Sequence, residues 1–263
     1  MANKSPISEN HSGKISILMI NREIDFRRRN YQKAQFSKLG LKVEFVEPVR
    51  IETPPDEGED WYDTGWVRPL RIAEYSLTLS HIHLWKICIA RNSPVVVLED
   101  DVIVDPRFPE ILDDIVATME HIDYLHLEPG GKKKLQGDFD FKLADTFLGK
   151  QLYVSRGGSG AYVVSPKGAK ALLEFSKKHL LISDSQIDNT PKINRYQLMP
   201  APIVQMVVHP SNSIFPNELR GTTLGSGPKP RFRSILKNIG LFRRIPYEIR
   251  MFRMRYLTPG KEV

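Results

Sequence analysis

Val95-Val96-Val97-Leu98-Glu99-Asp100-Asp101 sets four aliphatic residues directly before three carboxylates. A continuous apolar run of this kind reads as a central strand covered on both faces, as in parallel sheets. The acids then sit at its carboxyl end, where open α/β sheets bind their ligands. Three adjacent carboxylates repel one another, and burial raises the pKa of each. A divalent cation relieves both costs. Mg²⁺ and Mn²⁺ take oxygen ligands, commonly one or two carboxylates together with substrate phosphates. Along an extended chain residues 99 and 101 point the same way. Glu99 and Asp101 are therefore expected to face one ion, with Asp100 turned elsewhere, toward a ribose hydroxyl. The alternative is that the three acids cap the next segment or face solvent.

Working outward from this run, the chain alternates strand and helix. Residues 15–20 form a short branched apolar run. Asp25 stands where a helix to Leu39 would begin, Gly40 sits in the stop position, and residues 43–46 read as the next strand. This β-α-β opening predicts a mainly parallel sheet with covering helices. Residues 47–69 read as a long loop containing Trp61 and Trp66, which either stack on a ligand or anchor the loop. Tyr75, Leu79, Ile82, Trp85 and Ile89 then share one face of a helix and are assigned to the core. A helix over 109–120 and a strand over 123–127 follow. Residues 130–149 read as loop, and 152–155 and 161–165 as short strands around Gly157-Gly158-Ser159-Gly160. A helix with proline at its start covers 166–178, and 203–208 is expected to be the last core strand.

The bulk properties set limits. A chain of 263 residues with 41% hydrophobic composition can bury a substantial core. The single cysteine, Cys88, excludes an intramolecular disulfide framework. The polar start, MANKSPISENHSGK, lacks the apolar segment of a secretory signal, and no apolar run approaches the ~20 residues that span a bilayer. These features predict a cytoplasmic protein. The net charge of +7 is concentrated at one end: residues 227–263 carry ten Lys/Arg and two acids, so the remainder is slightly acidic.

Leu79-Ser80-His81-Ile82-His83-Leu84-Trp85, followed by Val97-Leu98-Glu99-Asp100-Asp101-Val102, resembles the SH…W…LEDD signature of glycosyltransferase family 25. That family includes bacterial lipooligosaccharide galactosyltransferases and the collagen galactosyltransferases. Further pieces fall in the same order. Ile17-Leu18-Met19-Ile20-Asn21 and Arg27-Arg28-Arg29 resemble the opening strand and R-R helix. Residues 160–169 resemble the G-x-Y-x-I-S-x-x-G-A segment, Leu181-Ile182-Ser183-Asp184 the pxD acid, and Pro202-Ile203-Val204-Gln205 the late P-x-x-x-Q strand. The sequence departs from a spaced D-x-D by having E-D-D, and the pxD acid is followed by Asp188.

The resemblance implies a GT-A, Rossmann-like domain over residues 14–220. It implies inverting transfer of a sugar, galactose from UDP-galactose, to a lipooligosaccharide or LPS core acceptor. It implies Mn²⁺ or Mg²⁺ at the diphosphate, held by Asp101 first and Glu99 second. His209 is either a third ligand, which would favour Mn²⁺, or a surface histidine at a strand end. Asp184 is the expected base, with Asp188 second at i, i+4, although Ser183 or Asp184 would also suit a helix N-cap. The UDP-sugar is expected to meet Asn21, Arg22, Arg27, His81, Asp100, Gly158 and Gly160. For His81 a buried polar network is the alternative, and for the glycines a simple turn.

Beyond a Gly/Pro-rich linker at 221–230, Ile235, Ile239, Phe242, Ile245, Ile249, Phe252 and Tyr256 recur at helical spacing among arginines. Such a basic amphipathic pattern suits a membrane interface, or else packs on the main domain. Residues 231–263 are expected to hold the protein on anionic lipid at the cytoplasmic face of a bacterial inner membrane, near a lipid-linked oligosaccharide acceptor. Two other classes use some of the same features. A metal-dependent nucleotidyltransferase or phosphoryl enzyme would also place carboxylates at a strand end. A nucleic-acid-binding protein would use the basic tail, but the slightly acidic body carries no such signature, so no nucleic acid partner is expected.

Overall fold

The structure is a computed structural model, and it describes residues 15–52, 70–129, 134–155, 157–209, 211, 215, 216, 219 and 261–262. The run that opened the reading is strand β3 (Val95–Glu99), whose four aliphatic residues are fully buried. It pairs in parallel with β1 (Ser16–Ile20), in a register that sets Ile20 beside Glu99. β2 (Glu44–Val46) extends the parallel group on the other side of β1.

The crossovers lie on opposite faces, as side-chain alternation requires. Helix α1 (Phe26–Lys38) packs Phe36 with Ile17, Met19, Val96 and Leu98. Gly40, at φ +67°, occupies the left-handed position that ends this helix. Helix α2 (Ile72–Arg91) packs Tyr75, Ile82 and Trp85 with Leu18, Ile20, Val95 and Val97 on the other face. Strand order therefore reverses direction at β1, and open α/β sheets bind their ligands beyond the strand ends at such a reversal.

The expected alternation of parallel strands holds for β1, β2 and β3, and the rest of the sheet is mixed. The other elements are β4 (Val102–Val104), a 3₁₀ turn (Phe108–Ile111) running into α3 (Leu112–Thr118), β5 (Tyr124–His126), β6 (Leu135–Leu143), β7 (Phe147–Val154), β8 (Ala161–Val164), α4 (Pro166–Ser176), α5 (Ser183–Asn189), β9 (Arg195–Met199), β10 (Ile203–Gln205) and β11 (Lys261–Glu262). The nine-stranded order is β11-β6-β7-β9-β5-β8-β3-β1-β2. β8 runs antiparallel between β3 and β5, and β5 pairs in parallel with β9.

Three expectations need correction. Residues 130–149 are not all loop, because β6 and β7 form an antiparallel pair there. The cue was a period-2 alternation: Leu135, Phe139, Phe141 and Leu143 interleave with Gln136, Asp138, Asp140 and Lys142. β9 was not anticipated, because Arg195 and Gln197 interrupt its apolar pattern although both are buried. The expected last core strand over 203–208 is only β10, which leaves the main sheet to pair antiparallel with β4. Residues 231–260 of the proposed amphipathic tail, with Trp61 and Trp66, lie outside the described residues. The end of that tail, β11, pairs antiparallel with β6.

Helix α4 crosses the sheet closely at Gly168, where an added Cβ would stand 2.2 Å from the main-chain oxygen of Asp123. That oxygen cannot swing away as a side chain could. Gly168→Ala is expected to destabilise the fold by about 1–3 kcal/mol, read as a lower urea midpoint with unchanged m-value.

Candidate active site

Strand alternation separates the acids of the opening run. Glu99 falls on the α2 face. Its Oε1 accepts a hydrogen bond from the Ser159 hydroxyl at 3.2 Å, and His81 Nε2 lies 3.6 Å from the same oxygen. Asp100 falls on the α1 face. Its Oδ2 accepts from Asn21 Nδ2 at 2.7 Å and its Oδ1 from Arg28 Nη1 at 2.8 Å, while Arg29 Nε donates to Asn21 Oδ1 at 2.6 Å. Gln32 Nε2 donates to the main-chain oxygens of Asp100 and Val102, which fixes the turn. Burial raises the pKa of Asp100, and the charge and hydrogen bonds of Arg28 and Asn21 oppose the rise. Asn21 and Asp100 thus brace the turn to α1. Arg22 pairs with Asp25 at 2.7 Å, and Arg27 is exposed on the first turn of α1.

The chain turns at Asp100-Asp101, so the alternation argument reaches Glu99 but not Asp101. Asp101 is nonetheless held close to the other acids. Burial, then the charge of Glu99, then that of Asp100 push its carboxyl up to about 7. Its Oδ1 is buried without a hydrogen-bond partner. An orphaned buried carboxylate oxygen, with the charge of Glu99 near it, is chemically suited to a hard cation. Among the described residues no three His, Cys, Asp or Glu side chains are gathered into one ligand set, so His209 does not complete one with Glu99 and Asp101. The chain leaves β10 at Gln205 and turns. His209 Nδ1 there accepts the backbone N–H of Ser211 at 3.1 Å, and its ring packs edge-on against Phe215. With Nδ1 accepting, a neutral ring carries its proton on Nε2, and neither nitrogen offers a free lone pair.

Helix α5 carries a second group of acids. Asp184 is not the N-cap of α5, since Ile182 holds that position. Its Oδ2 would stand 3.1 Å from a Cβ placed on Gly157. Burial raises its pKa, with the Ser159 hydroxyl and the N–H of Gly158 opposing and the charge of Glu99 adding to the rise. Asp188, one turn later, is pushed up to about 7 by burial against the opposing charge of Arg195. Arg195 Nη1 holds that turn by donating to the main-chain oxygens of Ile187 and Asp188.

The loop between the groups must be glycine. Gly157 and Gly158 adopt φ of +120° and +108°, where side-chain-bearing residues are strained. A Cβ on Gly158 would lie 2.6 Å from the His126 ring and 2.8 Å from Glu128 Oε1, and one on Gly160 would lie 2.7 Å from Gln205 Nε2. The backbone therefore passes in direct contact with the acids.

Sequence reading missed Glu128. It follows the apolar strand β5 as Glu99 ends β3, so the same argument would have found it. Its Oε1 accepts the Gly160 N–H at 2.8 Å, and burial together with Glu99 pushes its carboxyl up to about 8. Lys134 also escaped notice. It is buried, donates to Gln197 Oε1 and to the main-chain oxygen of Glu128, and burial pulls it down to about 8. Its charge faces Glu128, Asp188 and Asp184. No sequence pattern marks it, since its partners come from β5, α5 and β9.

The model of glycosyltransferase family 25, described as an LPS biosynthesis protein family, matches residues 14–187. The chain belongs to glycosyltransferase family 25. An Aedes aegypti protein named as a family 25 member is 32% identical over 181 residues. That stretch is 64% of this chain but 29% of the insect protein, so the chain spans less than a third of that relative. A Haemophilus influenzae protein provisionally named as a glycosyltransferase is 28% identical over 198 residues, 71% of this chain and 69% of its own. A solved structure of a glycosyltransferase involved in glycosylating the major capsid of PBCV-1 aligns over 76% of this chain at 13% identity and TM-score 0.39, too low to bear on function.

The raised carboxyls fix a pH dependence. Asp101 and Glu128 have folded pKa values above their unfolded ones, so the native state binds more protons between them and stability falls as pH rises through about 4 to 8. Asp101→Asn and Glu128→Gln are expected to raise the urea midpoint at pH 8 and leave it unchanged at pH 4. The check is equilibrium unfolding of each variant at both pH values, without divalent cation.

Proposed function

We propose that this chain is an inverting, GT-A-type glycosyltransferase that moves galactose from UDP-galactose to a lipooligosaccharide or LPS core acceptor. The observation that carries this reading is the meeting of two carboxylate groups at the strand-order reversal. Glu99 and Asp101 lie on one side, Asp184 on the other, and the glycine loop runs between them. Family membership supports a transfer chemistry, and its description supports a lipopolysaccharide acceptor.

The reaction needs three things from the protein. The leaving diphosphate must be held while it gains charge. Asp101, with its orphaned oxygen, and Glu99 are the residues that would hold Mn²⁺ or Mg²⁺ there. When bound, that cation supplies Lewis-acid stabilisation of the departing phosphate. The acceptor hydroxyl must lose a proton as its oxygen bonds to the anomeric carbon and the bond from that carbon to phosphate breaks, its electron pair leaving with UDP. Asp184 is the residue assigned to take that proton, and burial raises its basicity. The donor sugar must come close without water between. Gly157 and Gly158, lacking side chains, let the backbone pass against Asp184, His126 and Glu128.

The acceptor is placed on lipid, with the basic residues 231–260 on an anionic surface. No helix among the described residues is long and apolar enough to cross a membrane. A chain ending at Gly227 is expected to lose most of its sedimentation with anionic vesicles while keeping its near-UV spectrum. Sedimentation equal to that of the full chain would refute the tail's role.

Release of UDP from UDP-galactose is expected to require Mn²⁺ or Mg²⁺. Asp101→Ala is expected to lower kcat/KM by about 10³-fold. Asp184→Asn is expected to lower kcat by about 10²–10⁴-fold while KM for the donor changes little. Activity indifferent to the cation and to Asp101→Ala would overturn the mechanism.

A further inference from the structure

Trp85 and His81 stand one turn apart on the inward face of α2, and both reach the hydroxyl of Tyr162 in β8. Trp85 Nε1 donates to it at 2.9 Å, and His81 Nδ1 lies 3.0 Å from it. All three side chains are fully buried, and the Tyr162 ring is stacked on Tyr124 with centroids 4.9 Å apart.

One of these bonds has a fixed direction. An indole N–H can only donate, so Tyr162 accepts from Trp85. The one hydrogen of Tyr162 is then available to His81 Nδ1. A neutral imidazole that accepts at Nδ1 carries its proton on Nε2. His81 Nε2 has no hydrogen-bond partner, is shielded from water, and lies 3.6 Å from Glu99 Oε1. From the other side the Ser159 hydroxyl, 2.8 Å from that of Ser183, donates to the same oxygen. The Glu99 main chain is pinned as well, its N–H donating to Gly160 O at 2.8 Å. The Ser159 hydroxyl and His81 Nε2 thus face the same oxygen, Oε1, and among the described residues no hydrogen bond reaches Oε2.

We infer that His81 is a positioning residue: the chain from Trp85 through Tyr162 to His81 delivers an N–H to Glu99 Oε1, which turns Oε2 toward the ligand. The inference rests on the reading of Glu99 as a cation ligand. A histidine that only filled the core would satisfy Tyr162 equally well in either tautomer. A positioning histidine must keep its proton on Nε2. Partners of this kind orient the ligating group, and losing one typically costs 10–100-fold in metal affinity.

The first test is ¹⁵N NMR of the histidine-labelled full chain, with the His81 resonance assigned by its loss in His81→Gln. The expected result is an Nε2–H tautomer in the wild type and a mixture in Tyr162→Phe. An Nδ1–H tautomer in the wild type would overturn the inference. The second test compares His81→Gln, whose amide nitrogen replaces Nε2, with His81→Asn, whose amide replaces Nδ1. Mn²⁺ affinity in the presence of UDP is read by electron paramagnetic resonance of the free ion. Glutamine is expected to hold affinity within about threefold of wild type and asparagine to weaken it about 10–100-fold. Equal losses in the two variants would also overturn it. If the wild type binds no Mn²⁺, the cation reading fails on its own, and the tautomer alone decides the role of His81.

Discussion

Mutual repulsion among buried carboxylates is the constraint on which the carboxyl end of this sheet is built. Asp100, Asp101, Glu128 and Asp184 are largely buried, and burial favours the neutral form of each of these four. The fold answers with donors matched to particular acids. Arg28 pairs with Asp100 and Asn21 donates to it, the N–H of Gly160 holds Glu128, and Lys134, just before β6, faces Glu128, Asp188 and Asp184. Asp101 is left with an unanswered oxygen. The burial of that oxygen lowers stability at pH values where Asp101 is charged.

Alternation along one strand organises this division of labour. Val95 and Val97 pack under α2, Val96 and Leu98 under α1, and the same rule sends Glu99 to one side and Asp100 to the other. Acids adjacent in sequence therefore meet different partners. Asp100 becomes part of the frame, and Glu99 faces the glycine loop. β8 then closes the region by running antiparallel to β3, which brings Gly160 opposite Glu99 and carries Tyr162 under it.

Legibility in the sequence followed how local the causes were. The apolar run at 95–98 announced both its burial and the acids at its end, because each fact depends on neighbouring residues. β6 was obscured by composition: aspartate and lysine drew attention away from apolar residues at every second position. β9 was hidden for another reason. Arg195 and Gln197 are polar and buried, and their acceptors, the main-chain oxygens of residues 126, 128, 187 and 188, come from other segments. Arg28 could be seen as one of three consecutive arginines, yet only the helix phase of α1 selects it for Asp100. His209 illustrates the opposite failure. Its position after a strand suggested a ligand, but the strand is short and leaves the sheet before the histidine is reached.

Ser159 carries a consequence of its own. Its hydroxyl has a single hydrogen, and it stands in reach of both Glu99 and Asp184. It can serve only one of them at a time, with Ser183 able to supply the other half of the exchange. The two carboxylates are therefore not separable modules. A substitution at Glu99 redistributes one shared proton, and Asp184 is altered without being touched.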